Sequence, residues 1–221
     1  MFGFPMRITL DDGRMILMRP IVEDEMPAVA GQISRYEICR HISLRGSQSP
    51  EQELAWLKST QERDNAFNWG IALPESKTDT HGRLIGNSGV FDISCNRGES
   101  GVVLWDSSVW GTGIASAIHR ARCHYAVNVH HLVAIDSGAD QANHGSRKAL
   151  ERVGYTKVGV SYNRGYVDGE ICHLDKLLWV NPTSHVWNYF WGGESPPKKF
   201  QTARKRAIAA LDWAAERIEY L

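Results

Sequence analysis

From Arg14 to Val180 the chain alternates short apolar, β-branched runs with longer stretches whose apolar residues recur every three or four positions. That pattern predicts strands interleaved with helices. Arg14 to Pro20 (R-M-I-L-M-R-P) is a first strand stopped by proline. Glu23-Asp24-Glu25 put acids at the start of a helix running through Met26, Val29, Ala30 and Ile33. Ser49-Pro50-Glu51-Gln52 is a sharper start signal, with Ser as N-cap and Pro at the first helical position. That helix turns Leu54, Trp56 and Leu57 inward and ends in the polar stretch Thr60 to Asp64. Asn68 to Leu73 and Arg83 to Ile93 predict strands on either side of a polar loop, Pro74 to Gly82. An Asn96-Arg97-Gly98 turn then leads into the strand Ser100 to Trp105.

After Trp110, the residues Ile114, Ala115, Ile118, Ala121, Tyr125 and Val129 form one face of a helix. His131 to Asp136 is a short strand, and Asn143 to Val153 a helix ending at Gly154. Tyr155 to Tyr162 and Glu170 to Val180 are two strands joined through Asn163-Arg164-Gly165 and Asp168-Gly169 turn chemistry. Pro182 opens a change of character. Trp187, Tyr189, Phe190 and Trp191 cluster, and a basic amphipathic helix follows with Phe200, Ile208, Leu211, Ala215 and Ile218 as its stripe. The expected division is residues 1–181 as one domain and 182–221 as an appended segment. Its helix docks on that domain or on a second copy in a homodimer, leaving its Lys and Arg solvated.

Composition narrows the classes. The 221 residues carry 25 Lys and Arg against 25 Asp and Glu, so nothing global favours nucleic acid or an anionic membrane. Cys39, Cys95, Cys123 and Cys172 lie far apart, without metal-ligand spacing, as expected of reduced thiols in a cytoplasmic protein. His130 and His131 point to opposite faces if they lie on a strand, so no metal is expected. No secretory leader and no apolar run of membrane-spanning length is legible.

The candidate chemistry centres on Trp110-Gly111-Thr112-Gly113-Ile114-Ala115, between a strand and a helix. Gly-x-Gly lets the backbone turn sharply, and the unpaired N–H groups of the helical first turn then seat an anion, most often a phosphate. An ordinary strand-to-helix connection is at least as common a use of two glycines. If the anion is a dinucleotide, Asp136 stands about where a ribose-binding acid belongs. However, Ser116 replaces the third glycine, the turn falls mid-chain, and Asn143 has no role in that scheme.

Trp110 to Ala115 resembles the acetyl-CoA pyrophosphate loop (Gln/Arg-x-x-Gly-x-Gly/Ala) of the GNAT N-acetyltransferases. Asn143 to Tyr155 (N-H-G-S-R-K-A-L-E-R-V-G-Y) resembles their Asn-x-x-Ser…Gly-Phe/Tyr helix and strand start, and Leu17-Met18-Arg19-Pro20 is similar to the opening of the RimJ/RimL-like, ribosomal-protein-alanine branch. The resemblance implies an α/β (α+β) fold: a mixed, mostly antiparallel twisted sheet of about seven strands flanked by helices. It implies acetyl-CoA as acetyl donor and a primary amine, on a protein N-terminus or a small molecule, as acceptor. The cofactor residues it implies are Leu104, Trp105 and Asp106 at a splayed strand end, Trp110, Gly111, Thr112, Gly113, Ile114 and Ala115 on the pyrophosphate, and Asn143, Ser146 and Arg147 on the next helix. Trp110 stands in place of the usual Gln or Arg, and Leu150 in place of the Tyr that many relatives use as acid. Ser146 is then the candidate donor to the leaving sulfur, and Glu99, followed by Asp92, the candidate base. The oxyanion is expected at the N–H groups of a Leu104-Trp105 bulge, and Trp56 and Trp69 on the acceptor side. A module that binds acyl-CoA with little catalysis, its C-terminal helix docking a partner, is the alternative.

Overall fold

The long hairpin β4 (Arg83–Ser94) and β5 (Arg97–Leu104) stands at the centre of the sheet, and β4 buries residues on both of its faces. The computed structural model describes residues 1–42 and 46–221. On one side of the hairpin lie β3 (Phe67–Leu73), β2 (Met15–Arg19), β1 (Met6–Thr9) and, at the edge, β9 (Ile218–Tyr220). On the other side lie β6 (Ala134–Asp140), β8 (Glu170–Val180) and β7 (Thr156–Val167). Every neighbouring pair is antiparallel except β5 with β6. A parallel pair needs a long crossover, and here it is α4 (Ile114–Asn128).

The two faces carry separate cores. One packs α1 (Met26–Ile33), α2 (Tyr36–Cys39) and α3 (Pro50–Glu62) over Ile21, Trp105 and Val103. The other packs α4 against the sheet around Trp69, Ile118, Tyr125 and Trp179, closed by α5 (His144–Arg152) and α7 (Lys198–Arg217). Trp187 of α6 (Ser184–Phe190), Trp191 and Phe200 form a smaller aromatic cluster beside Leu178 and Val180. The Ser49 N-cap forms as expected, with its hydroxyl accepting from Gln52 N–H and the Gln52 side chain answering.

Several expectations are corrected. The sheet has nine strands, with β1 and β9 added at one edge. The strand after α4 begins at Ala134, not His131. His131 takes φ +52° and Leu132 N–H closes back on Ala126 O, while the His130 ring stacks on Phe67. β7 runs through Asn163-Arg164-Gly165 as a register shift, and the hairpin reverses at Asp168-Gly169, both at positive φ. Trp69 lies in the α4-side core, its indole donating to Phe4 O, instead of lining the opposite face. The buried seam of α7 is Phe200, Ala203, Ala207, Ala210 and Ala214, with Ile208 exposed. Small side chains win that seam because α7 approaches closely: a Cβ on Gly154 would sit 2.8 Å from that of Ala207. None of the described helices is long and apolar enough to cross a membrane.

Candidate active site

The parallel pair of β5 and β6 is short. It runs from Arg97 opposite Ala134 to Ser100 opposite Ser137, and beyond that the strands part. β5 continues through Gly101 to Leu104 paired only with β4, and β6 through Gly138 to Asp140 paired only with β8. Trp105 N–H donates to Ile85 O at 3.0 Å, so alternation turns the backbone groups of Trp105, Val103 and Gly101 toward β4. Leu104 and Val102 turn theirs into the gap. Trp110 folds back so that its indole N–H caps Leu104 O at 2.9 Å, leaving Leu104 N–H and both Val102 groups open. An extended chain with amides of its own could add there as a strand would. Leu104 thus presents an open N–H to the gap, and Val102, which carries no motif, presents both of its backbone groups. Trp105 is corrected: the β4–β5 register is unbroken from Phe91 to Gly86, so there is no Leu104-Trp105 bulge and its N–H is already used.

Two helix N-termini flank the gap. At the end of β5, Asp106 caps the turn Ser107–Val109 by accepting from Ser108 N–H and Oγ, and pairs with Arg83 at 2.8 Å. The Ser108 hydroxyl first, then Arg83, hold its carboxyl below the usual range. Its side chain is therefore committed to shaping the turn. Gly111 and Gly113 take φ +76° and +92°, a left-handed backbone that side chains resist. Among the described residues no acceptor reaches the N–H groups of Gly111, Gly113, Ile114, Ala115 or Ser116. Arg14 holds the Thr112 carbonyl outward at 2.9 Å, which keeps its negative end away from those donors. At the end of β6, Asn143 caps α5, its Oδ1 accepting from Ser146 N–H at 3.0 Å. Half-buried Ser146 keeps its Oγ without a partner among the described residues. Arg147 is drawn elsewhere. It leans on the fully buried Asp175 at 3.5 Å and on Glu151, so no phosphate is needed to account for its position.

Facing decides the rest. Ser100 points to the α4 side, where Arg122 and Tyr155 meet it, and its register partner Ser137 shares that side, its hydroxyl donating to Ser100 O. Glu99, Gly101, Val103 and Trp105, with Asp136, Gly138 and Asp140 across the gap, therefore share the α1–α3 side. The two residues on that side just where the strands part are glycines, Gly101 and Gly138, and the side chains that lean over them are those of Phe91 and Leu174. Glu99 lies about 7 Å back along the strand, exposed and without a hydrogen-bond partner among the described residues. Asp136 beside it is paired with Arg97. Asp92 sits in the β4 bulge at φ +52°, three residues past the Gly89 that faces Gly101, roughly 10 Å away. On the same side a cavity of about 520 Å³ opens between α1, the β3–β4 loop and the end of β5, walled by Glu25, Gln32, Arg35, Arg83 and Trp105.

Residues 15–156 match the family model described as Acetyltransferase (GNAT) domain. No curated protein sequence matches the chain. Among solved structures, Mycobacterium smegmatis RimJ in complex with CoA-disulfide is 16% identical, with 98% of this chain and 95% of that one covered at a TM-score of 0.67. The spermidine N-acetyltransferase of Vibrio cholerae in complex with CoA and spermine is 12% identical, with 75% and 95% covered at 0.65. A GNAT-family acetyltransferase from Bacillus anthracis is 17% identical, with 79% and 98% covered at 0.63. At these identities the likeness speaks to the fold.

Proposed function

We propose, from the premise that this chain belongs to the GNAT acetyltransferase family, that it moves an acetyl group from acetyl-CoA to a primary amine in the gap between β5 and β6. One observation carries the reading: the parallel pair β5 and β6 opens beyond Ser100 and Ser137, and the arm formed by β5 leads into a helix N-terminus whose first donors have no partner among the described residues. The pantetheine arm adds along Val102 and Leu104, and its amides take up their open backbone groups. Its pyrophosphate sits on the N–H groups of Gly111 and of Gly113 to Ser116, where the helix dipole also favours negative charge. Asn143 offers its amide N–H to the arm, since its carbonyl oxygen is spent on the cap.

The acetyl carbon then lies beside Gly101 and Gly138 on the α1–α3 side of the gap. Glu99, Asp136 and Asp140 rim that opening and draw in a cationic amine, whether on a protein N-terminus or a small molecule. The neutral amine attacks the thioester carbon, forming the C–N bond as the C–S bond breaks. Val102 N–H, next to Gly101, is the donor nearest the developing oxyanion. Ser146 Oγ, at the α5 N-terminus, hydrogen-bonds the departing thiolate, which takes up a proton. Leu150 has no part, being buried in the core behind α5.

The test is thiol release with acetyl-CoA fixed and the amine varied across peptides, amino acids and polyamines, with thermal shift in parallel. Stabilisation by acetyl-CoA and release with at least one amine class is the expected result. Stabilisation without release indicates a binding module, and neither refutes the reading. A finer prediction separates the two uses of Asn143. Asn143→Ala loses cap and donor together, lowering stability by about 1 kcal/mol and acetyl-CoA affinity by roughly 5- to 30-fold. Asn143→Asp keeps the cap, so its melting temperature stays near wild type while its affinity still falls.

A further inference from the structure

We propose that His41, oriented by Asp140, is the general base of this reaction, an inference that rests on the gap between β5 and β6 being the acyl-transfer site. The chain leaving α2 crosses the α1–α3 side to reach the far arm of the gap. There His41 Nδ1 lies 3.7 Å from Asp140 Oδ2. Asp140 is the last residue of β6, two positions beyond Gly138 on the same side and about 7 Å further along the strand, and it brings the imidazole to that arm of the gap. Tyr36 and Arg40 of the same segment hold Asp168 in the β7–β8 turn at 3.0 and 2.8 Å, which ties α2 across the gap. The Nδ1 atom is buried without a hydrogen-bond partner among the described residues, with Asp140 Oδ2 beside it at ion-pair distance, which leaves Nε2 as the nitrogen to exchange protons.

The charged groups around the ring are Arg40 on its own segment, Asp140 from β6 and Asp168 from the β7–β8 turn, with Cys172 of β8 close to Asp140. Burial first, and Arg40 next, outweigh the two carboxylates and hold the imidazole below its ordinary pKa, hence neutral and able to accept at pH 7. The proton balance closes. R–NH3+ gives one proton to Nε2, and the imidazolium donates through Nδ1 to Asp140. The free amine forms the C–N bond as C–S breaks, the thiolate takes the amine's second proton, and the imidazolium returns its own to water. Glu99 has no orienting partner and acts only in drawing the cation in.

The test compares pH profiles of kcat/KM for wild type, His41→Gln, Asp140→Asn and Glu99→Gln, with acetyl-CoA affinity measured on each. His41→Gln is expected to bind acetyl-CoA within twofold of wild type, lose ten- to a hundredfold in kcat at pH 7, and lose the acid limb set by the imidazole. Asp140→Asn keeps that limb but moves it to lower pH, because the imidazolium loses its carboxylate. Glu99→Gln raises KM and leaves the limb in place. The proposal is overturned if His41→Gln keeps the wild-type limb, or changes KM alone, or if the limb disappears in Glu99→Gln instead. Should wild type turn over no amine at all, it is the acetyltransferase reading that fails.

Discussion

A Gly113→Val protein is expected to fold and yet bind acetyl-CoA at least about a hundredfold more weakly, a loss of roughly 2.7 kcal/mol. Gly113 is the N-cap of α4 at φ +92°, and the N–H groups that follow it have no internal acceptor. Valine is harmed there in two ways. Its branched side chain resists a left-handed backbone, at a cost of about 1–2 kcal/mol, and it projects into the space in front of the donors. That space is open in the protein itself, since a Cβ on Gly113 meets nothing within 4 Å. The clash is therefore with the ligand. A phosphate displaced from even two charge-assisted hydrogen bonds, each worth about 1.5–3 kcal/mol, accounts for the predicted loss. Gly113→Ala is the control: it carries the backbone strain with little of the steric block, so its melting temperature should fall like that of the valine variant while its affinity falls far less. Equal affinity for acetyl-CoA in Gly113→Val and wild type would remove this turn from the binding site.

That turn was legible in sequence because its signal is local. Two glycines, a strand before and an amphipathic helix after are written within about thirty residues, and each follows from backbone sterics. The Asn143 cap is of the same kind, and both helix starts lie where their residues predicted. The signals that failed were those made by distant partners. β9 has three residues and is a strand only because β1 lies beside it, and β1 itself has four. On α7 the apolar stripe centred on Ile208 and Leu211 is a fair reading of one helix alone. The alanine seam wins because α4 and Gly154 allow a closer approach than large side chains permit. Asn163-Arg164-Gly165 has turn chemistry, yet β8 holds its partner straight past it. The place of Trp105 at the strand end is legible, but which way its N–H points depends on the register with Ile85, which sequence does not display. His41 carried no motif. It gains a role only because α2 is drawn across the gap to Asp140, and no spacing between residues 41 and 140 could have announced that meeting.

The largest stability effect should come from Arg122→Met. Arg122 is completely buried on α4, directly beneath the point where β5 and β6 separate, and pairs with no carboxylate among the described residues. Its guanidinium is instead held by neutral groups: Gly101 O at 2.8 Å, His119 Nδ1 at 2.8 Å, Ser100 Oγ at 3.0 Å, Ser88 Oγ at 3.1 Å and the Tyr155 hydroxyl at 3.4 Å. Methionine fills much of the volume but donates nothing, so His119 Nδ1 and the hydroxyls lose a buried donor. Ser100 and Tyr155 can still pair with each other and Ser88 with Gly101 O, so with about 1–3 kcal/mol for each group left unsatisfied the variant should lose roughly 2–4 kcal/mol in all. That corresponds to a fall of about 4–16 °C in melting temperature for a chain of this size. The same cluster sets a pH dependence. Burial, and secondarily Arg122, hold His119 well below its ordinary pKa, so the native state refuses a proton that the unfolded chain accepts. Stability is then fully present above about pH 6.5 and declines as pH falls toward the native pKa. His124 and His130, also lowered by burial, add to the same slope. Urea titrations of wild type from pH 8 to pH 5 should show that decline. In Arg122→Met the imidazolium at position 119 no longer faces a fixed cation, so the variant starts lower but descends less steeply. Parallel curves for the two proteins would mean that the guanidinium does not act on His119.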